Sequence, residues 1–426
     1  MRRNLLPLLI LTVVMMIGTV CAQGFELNPY GSGARAAGMG YAFTGVADDA
    51  TAIAWNPAGL TQLYSMEASI IGRFGFGFVS TNYRDVQPDI SIGSNFQLNF
   101  ASFILPFDAG DLNFVGGVAF RRLYDFSYNE TITISDFDYE QKTENKGGIN
   151  AISPAIGIQV NDMLSFGGTI NILTGSTDNK YTETSMGVES TEETSESYSG
   201  FSIEVGAMAK PNEKFSIGAN FKIPHTITRK LEGQIEEDGI FYDAELEYDT
   251  KIPFLFDIGV GYRATEKVLL AFDYHHRPMK NVSEQLKKFT LEGVEVDLSD
   301  LPESTDIYEY NTSSIHFGIE YLAETGNSVM PLRLGVFTVP TVGEDDSGTY
   351  NDLTETYSGG EQIKFLGLSG GMGLVMDKII LDGSIEWILG SFVGDTEDYE
   401  GTTENVDYTV NDFRVTFGAV LHLGND

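Results

Sequence analysis

From about residue 62 onward the chain repeats one grammar: two stretches of alternating apolar and polar residues joined by a very short turn, then a long acidic connection. Period-two alternation puts successive side chains on opposite faces of an extended strand. In "KFSIGANFKIP" one face holds Phe215, Ile217, Ala219, Phe221 and Ile223; in "FLFDIGVGYR" it holds Phe254, Phe256, Ile258, Val260 and Tyr262. "KIILDGSIEWIL" sets Ile379, Leu381, Ile385 and Trp387 against Asp382, Ser384 and Glu386. "NDFRVTFGAVLH" sets Phe413, Val415, Phe417, Ala419 and Leu421 against Arg414, Thr416, Gly418 and His422. The pattern predicts fourteen strands, near 64–80, 95–107, 111–128, 148–161, 163–180, 197–211, 214–231, 250–264, 267–282, 309–322, 328–339, 361–376, 378–391 and 409–423.

The connections decide between the all-β classes. "DAGD", "ND", "PNEK", "ATEK", "AETGNS" and "MDK" are short, and they alternate with connections such as "SDFDYEQKTENK" and "EGQIEEDGIFYDAELEYDT". A transmembrane barrel has this two-sided asymmetry, an even strand number and an apolar outer face, and its closure leaves no unpaired edge in hydrocarbon. Tyr64, Phe107, Tyr124, Phe254, Tyr262, Tyr274, Tyr321 and Trp387 fall at strand ends, where interfacial girdles form. Gly116, Gly117, Gly167, Gly259, Gly261, Gly371 and Gly373 suit tight inward crowding or local bends. The expected fold is all-β, a fourteen-stranded antiparallel transmembrane β-barrel. Barrels of about eight strands are filled by their own side chains and those of 16 to 18 leave a channel, so a fourteen-stranded wall calls for an occupant. The segment ahead of the first strand, residues 23–62, is the candidate: an N-terminal helical hatch plugging the lumen.

Residues 1–22 read as a signal peptide. Arg2 and Arg3 precede an apolar run from Leu5 to Val20, and Val20-Cys21-Ala22 forms a small-residue cleavage site ahead of Gln23. The run is shorter than the roughly 20 residues of a membrane helix and contains Pro7. Lipidation at Cys21 is a second reading. Cleavage leaves 24 basic against 61 acidic residues, a formal charge of -37, and no cysteine. An exported chain without cysteine is not a disulfide scaffold. So acidic a chain is no nucleic-acid binder. With no Pro/Ser-rich linker in sight, residues 63–426 form one domain.

The segment ahead of the strands carries the most specific motif. Asn56 can cap a helix by accepting from its first free amides, and Pro57 is tolerated at the first helical position. Asp48 or Asp49 can do the same for "ATAIAW". The stretch "GFELNPYGSGARAAGMGYAFTGVADDATAIAWNPAGL", residues 24–60, resembles the start of the FadL-type outer-membrane transporters. Gly24, Phe25, Gly38, Gly40, Ala47, Asp49, Asn56, Pro57, Ala58 and Gly59 carry the resemblance. It implies a bacterial outer-membrane barrel with Asn56, Pro57, Ala58 and Gly59 in a hatch. It further implies capture of long-chain fatty acids or other hydrophobic small molecules, and lateral release through the wall. The same pattern resembles the PorV-like barrels of type IX protein secretion, which would have secretion-system proteins as partners. The resemblance places a lateral opening at a kinked early strand. In "LNFVGGVAFRRLYDF" the candidates are Gly116, Gly117, Arg121 and Arg122, either as a bulge or kink or with Arg122 at headgroup level.

The chemistry expected is binding, without catalysis, metal or cofactor. "GSGARAAGMG" lacks the strand and the lysine spacing of a phosphate loop. His225, His275, His276, His316 and His422 lack metal-ligand spacing. The inward face carries Glu204, Lys222, Asp257, Arg263, Asp273, His275, His316, Glu320, Arg333, Asp382, Glu386 and Arg414. Most would pair to join plug and wall, while Lys222, Arg333 and Arg414 are candidates to orient a ligand carboxylate. Acidic loops such as "GEDDSG" face water, outer-membrane lipid and lipopolysaccharide, with calcium a further option for their carboxylates.

Overall fold

The computed structural model describes residues 31–81, 89–110, 112–134, 138–185, 187–237, 240–298, 305–326, 328–345, 349–351, 356–358, 360–397 and 403–423. The signal peptide, its cleavage at Gln23 and the Gly24-Phe25 match lie outside the described residues.

Fourteen antiparallel staves form the wall. They are β1 (Glu67–Thr81), β2 (Asp89–Ala109), β3 (Leu112–Asp125, continued by Tyr128–Ile134), β4 (Tyr139–Gln159) and β5 (Leu164–Ser185). Next come β6 (Val188–Asn212), β7 (Phe215–Lys222, continued by His225–Glu237), β8 (Ile240–Ile252, continued by Leu255–Thr265) and β9 (Val268–Arg277, continued by Ser283–Leu291). Last are β10 (Thr312–Thr325), β11 (Ser328–Glu344), β12 (Gln362–Val375), β13 (Ile379–Glu397) and β14 (Thr403–His422). Each stave pairs with the next, and β14 returns to β1 in one unshifted register from Glu67 opposite His422 to Thr81 opposite Tyr408. Closure removes the edge, so all fourteen strands expected from the pattern are present in a closed barrel.

The alternation works as read. Phe215, Ile217, Phe254, Ile258, Phe417 and Leu421 are exposed on the outer face, whereas Asn220, Asp257, Gly259 and Thr416 between them are buried. Oily residues facing outward and polar ones inward are the inverse of a soluble core and fit a wall solvated by lipid.

The sheet runs well past the expected strand ends. Much of the stretches expected as the loops "SDFDYEQKTENK" and "EGQIEEDGIFYDAELEYDT" is paired backbone: Tyr139–Asn145 against β3 and β5, and Ile240–Ile252 against β7. Residues 174–185 of β5 carry the sheet about 40 Å along the strand beyond the apolar band, at 3.3 Å per residue. Residues 174–185 carry no apolar periodicity, whereas in the second stretch Ala244, Leu246 and Tyr248 alternate and are buried with Phe289. Ladder bonds and exposed pairs such as Lys180–Glu193 at 3.0 Å and Lys230–Glu247 at 3.2 Å accompany the extension.

The buried apolar residues concentrate in residues 31–63 and what they touch. Tyr41, Phe43, Met39, Ile53 and Leu60 are fully buried, packed with Phe100, Ile104, Val115 and Phe337 from the wall.

Candidate functional site: a lumenal cavity beside a gap in the wall

Residues 31–63 contain α1 (Ala34–Gly38), α2 (Ala52–Trp55) and a 3-10 helix, Pro57–Gln62. At the junction Asn56 is extended, and its Oδ1 accepts from the Ala58 amide at 3.2 Å, with Pro57 in the first helical position where no amide bond is forfeited. Asn56 Nδ2 donates to the carbonyls of Thr44 at 3.1 Å and Ala207 at 3.0 Å, tying this segment to itself and to β6. Ahead of α2, Asp49 Oδ1 accepts from the Thr51 amide and hydroxyl. Asn56 is fully buried, so Asn56→Ala strands two carbonyls and one amide. We expect it to destabilise the fold by at least about 3 kcal/mol, at roughly 1 kcal/mol or more for each of the three groups, read as an earlier loss of heat-resistant gel migration.

This segment touches every stave from β1 to β13. Arg73 and Asn99 reach the Gly31 carbonyl, Arg121 and Thr169 reach that of Ile53, and Ser216 that of Gly45. Asp273 accepts from the Phe43 amide at 2.8 Å and the Thr44 amide at 2.6 Å; His316 Nδ1 meets the Gly40 carbonyl at 2.8 Å; Tyr41 donates to Glu386 at 2.5 Å. Elsewhere backbone lies directly on glycine. A Cβ on Gly218 would sit 2.0 Å from the Thr44 carbonyl oxygen, one on Gly167 2.3 Å from the Pro57 carbonyl carbon, and one on Gly335 2.0 Å from the Gly40 nitrogen. Of the glycines singled out in the sequence, Gly117, Gly259, Gly261 and Gly371 also face this segment, while Gly116 faces Phe107.

The inward charges are paired across distant parts of the chain. Arg35 donates to Glu320 and to Asp48, and Arg333 donates to Glu320 and Asp382. Burial raises the Asp49 carboxyl above the usual range, opposed by the nearby Arg35 charge and the hydrogen bonds from Thr51. Glu204 receives Arg121 at 3.1 Å and Asn171 at 2.9 Å, and lies 3.5 Å from Lys222 Nζ.

Next to this cluster lies a cavity of about 120 Å³ between the N-terminal segment and the outer half of the barrel. Trp55, Leu123, Leu255, Met279, Val339 and Val342 line its apolar side. Arg121, Arg122, Lys222 and Arg277 line it as cations, against only Glu204 and Asp257 as carboxylates. A surplus of positive charge inside a chain of formal charge -35 is a local feature with a chemical meaning. Of the three cations expected to orient a ligand, Lys222 lines this cavity, whereas Arg333 is 2% exposed between its two carboxylates and Arg414 holds Asp412 at 2.6 Å. Sequence reasoning missed Arg277, which sits 2.6 Å from Asp257 on the neighbouring stave, and Trp55 as a lining residue.

Beside the cavity the wall is interrupted. β2 pairs with β3 from Ala109–Leu112 to Phe100–Arg121, then again only from Ile92–Glu130 to Asp89–Thr133. Residues 93–99 and 122–129 therefore face each other without backbone pairing. On its other side β3 pairs with β4, with a register shift between Arg122 and Tyr124 that gives Leu123 no partner. Such a bulge bends a strand and re-aims its side chains. Gly116 and Gly117 lie inside the unbroken ladder; Arg121 ends it, and Arg122 stands at the edge of the interruption and lines the cavity.

A second cavity of about 520 Å³ lies at the short-turn end, lined by Asp48, Gln62, Lys210, Lys214 and Arg263. Between the two cavities Thr44 and Gly45 press on Gly218 and Gly259.

A closed fourteen-stranded antiparallel barrel with an outward apolar face defines a bacterial outer-membrane protein. The family model described as BamG matches residues 33–327, and the chain belongs to this family. No curated protein sequence matches it. Among solved structures it is similar to a FadL homologue of Pseudomonas aeruginosa, with a TM-score of 0.63 and 13% identity over 93% of this chain and 99% of the other. It is also similar to the toluene transporter TbuX of Ralstonia pickettii, with a TM-score of 0.58 and 12% identity over 93% of this chain and 100% of the other. For the toluene transporter TodX of P. putida the values are 0.59 and 11%, over 93% and 100%. At such identities the likeness defines a shared fold, that of the FadL-type outer-membrane transporters.

Proposed function

We propose that this protein is a passive outer-membrane channel for hydrophobic small molecules, with residues 23–62 as a hatch in the lumen, capture in the cavity and lateral release through the gap between β2 and β3. The observation that carries the reading is the juxtaposition of cavity and gap, with backbone pressed against glycine on the periplasmic side. A captured molecule then has a shorter way into the bilayer than through the hatch. The transport of toluene by structural neighbours of the same fold points the same way.

The lining narrows the substrate class. A dry cavity of about 150 Å³ holds one benzene ring, so a site of about 120 Å³ holds a single small group. A long-chain fatty acid fits only if its tail runs into the gap or displaces Met279 and Val342. The cationic surplus favours an anionic headgroup, and Lys222 is the residue we assign to it, with Arg121 beside it.

The test is uptake of a fluorescent fatty acid and of an uncharged monoaromatic by proteoliposomes. Lys222→Ala should slow the carboxylate about tenfold, the worth of a charge-assisted hydrogen bond of roughly 1.5 kcal/mol, and leave the hydrocarbon nearly unchanged. Equal effects on both remove the headgroup role. Failure of the unmodified protein to take up either compound, together with stable co-purification of secretion proteins, would replace transport by the secretion reading.

A further inference from the structure

We infer that Gln97 and Asp125 form a latch that holds the wall gap shut, so that a ligand passes only when this bond breaks. The inference rests on the lateral-release reading, but the closed state of the gap can be tested without any ligand.

Unpaired backbone at the level of the apolar band is costly, so other groups must hold this part of the wall. The outer face here is apolar, with Phe96 and Leu98 exposed. The inner face is polar. Asn99 is fully buried, accepting from the Gly33 amide and donating to the Gly31 carbonyl, both at 3.4 Å, which fastens β2 to the N-terminal segment. Across the gap itself two side-chain bonds run from β2 to β3: Asn95 Nδ2 to the Ser127 carbonyl at 3.3 Å, and Gln97 Nε2 to Asp125 Oδ2.

The two sides differ in stiffness. Asp125 is fixed by its own turn, its Oδ1 accepting from the Ser127 amide at 3.2 Å, and Ser127 is in turn hydrogen-bonded in both directions to the Gly147 backbone of β4. Gln97 has three rotatable side-chain bonds, and its Oε1 is buried without a hydrogen-bond partner. Its single contact with the carboxylate is charge-assisted and therefore the stronger of the two bridging bonds. A rigid acceptor on β3 and a swinging donor on β2 are what a latch needs. Of these two bonds, rotation of Gln97 leaves the weaker one from Asn95.

The inference is tested by hydrogen exchange on the full-length protein in lipid nanodiscs. In Gln97→Ala, amides of residues 93–99 and 122–129 should exchange about tenfold faster, while those in the adjoining ladder, 100–109 and 112–121, stay as they are. Gln97→Glu, which sets two carboxylates against each other, should have the larger effect. In parallel, release of a bound dansyl-undecanoic acid into acceptor vesicles should be about tenfold faster in Gln97→Ala than in the unmodified protein. Unchanged exchange in both variants overturns the latch, as does unchanged release from a protein that binds the probe. If the unmodified protein does not bind the probe, the transport reading fails for that compound, and the exchange result alone decides whether the gap is latched.

Discussion

Gly218→Val is expected to turn a closed barrel into a conducting one. Gly218 lies on β7 where the chain at Thr44 packs against the wall, and a Cβ there would stand 2.0 Å from the Thr44 carbonyl oxygen and 2.8 Å from Asn56 Nδ2. The first of these is backbone, so the clash cannot be relieved by a rotamer change. Forcing even single methylenes into a packed core costs about 1–3 kcal/mol, and a branched side chain against fixed backbone exceeds that range. The wall is held by ladders on both sides of β7, so it is the N-terminal segment that gives way. Lifting it joins the cavity of about 120 Å³ above to the vestibule of about 520 Å³ below. Single-channel recording in planar bilayers should show steady ion conductance for Gly218→Val and none for the unmodified protein. Gly383→Val is the control, since a Cβ at that glycine meets no atom within 4 Å. Conductance in the control, or none in Gly218→Val despite normal assembly, would remove the idea that contact at this glycine seals the lumen.

Glu204→Ala is expected to be the most destabilising single change in the wall. The carboxylate is 1% exposed and answers two cations, Arg121 and Lys222, while accepting from Asn171 and Asn220. Removing one partner of a buried ion pair costs about 3–5 kcal/mol, because the remaining charge is left uncompensated. Here two such charges are left. Urea titration of the protein in liposomes should show a correspondingly lower midpoint. The double variant Glu204→Ala/Lys222→Met should recover part of the loss by withdrawing one stranded charge. If the double variant is no more stable than Glu204→Ala, the Lys222 ammonium does not depend on Glu204.

The strands were legible because lipid on one side and polar groups on the other impose period two, as at Phe254 to Tyr262 and Phe413 to His422. Where water bathes both faces, as along residues 174–185, that constraint lapses and pairing continues without an apolar signature. Inward glycines could be read as crowding, but which part of the chain crowds Gly167, Gly259 or Gly371 is a matter of three-dimensional register. The partners of the lumenal cations were hidden for a related reason. Arg35 meets Glu320 across 285 residues, and the Arg333 pairs depend on which staves adjoin. On β3 the expected bulge or kink at Arg121 and Arg122 marks where the ladder with β2 ends, but the extent of the break is a matter of pairing. Nothing in "GSNFQLN" on β2 shows that residues 93–99 lack a backbone partner on β3.

The seam between β1 and β14 has a consequence for biogenesis. It zips the first stave of the wall to the last, in an unbroken register from Glu67–His422 to Thr81–Tyr408. Residues 31–63 emerge from the ribosome long before β14 exists, yet in the finished molecule they touch staves all around the inner circumference. They cannot be fastened to β13 until β13 has arrived, and once the seam has zipped they could enter only through an end. Residues 31–63 are made before any stave of the wall, yet they complete their native surroundings no sooner than its last staves arrive.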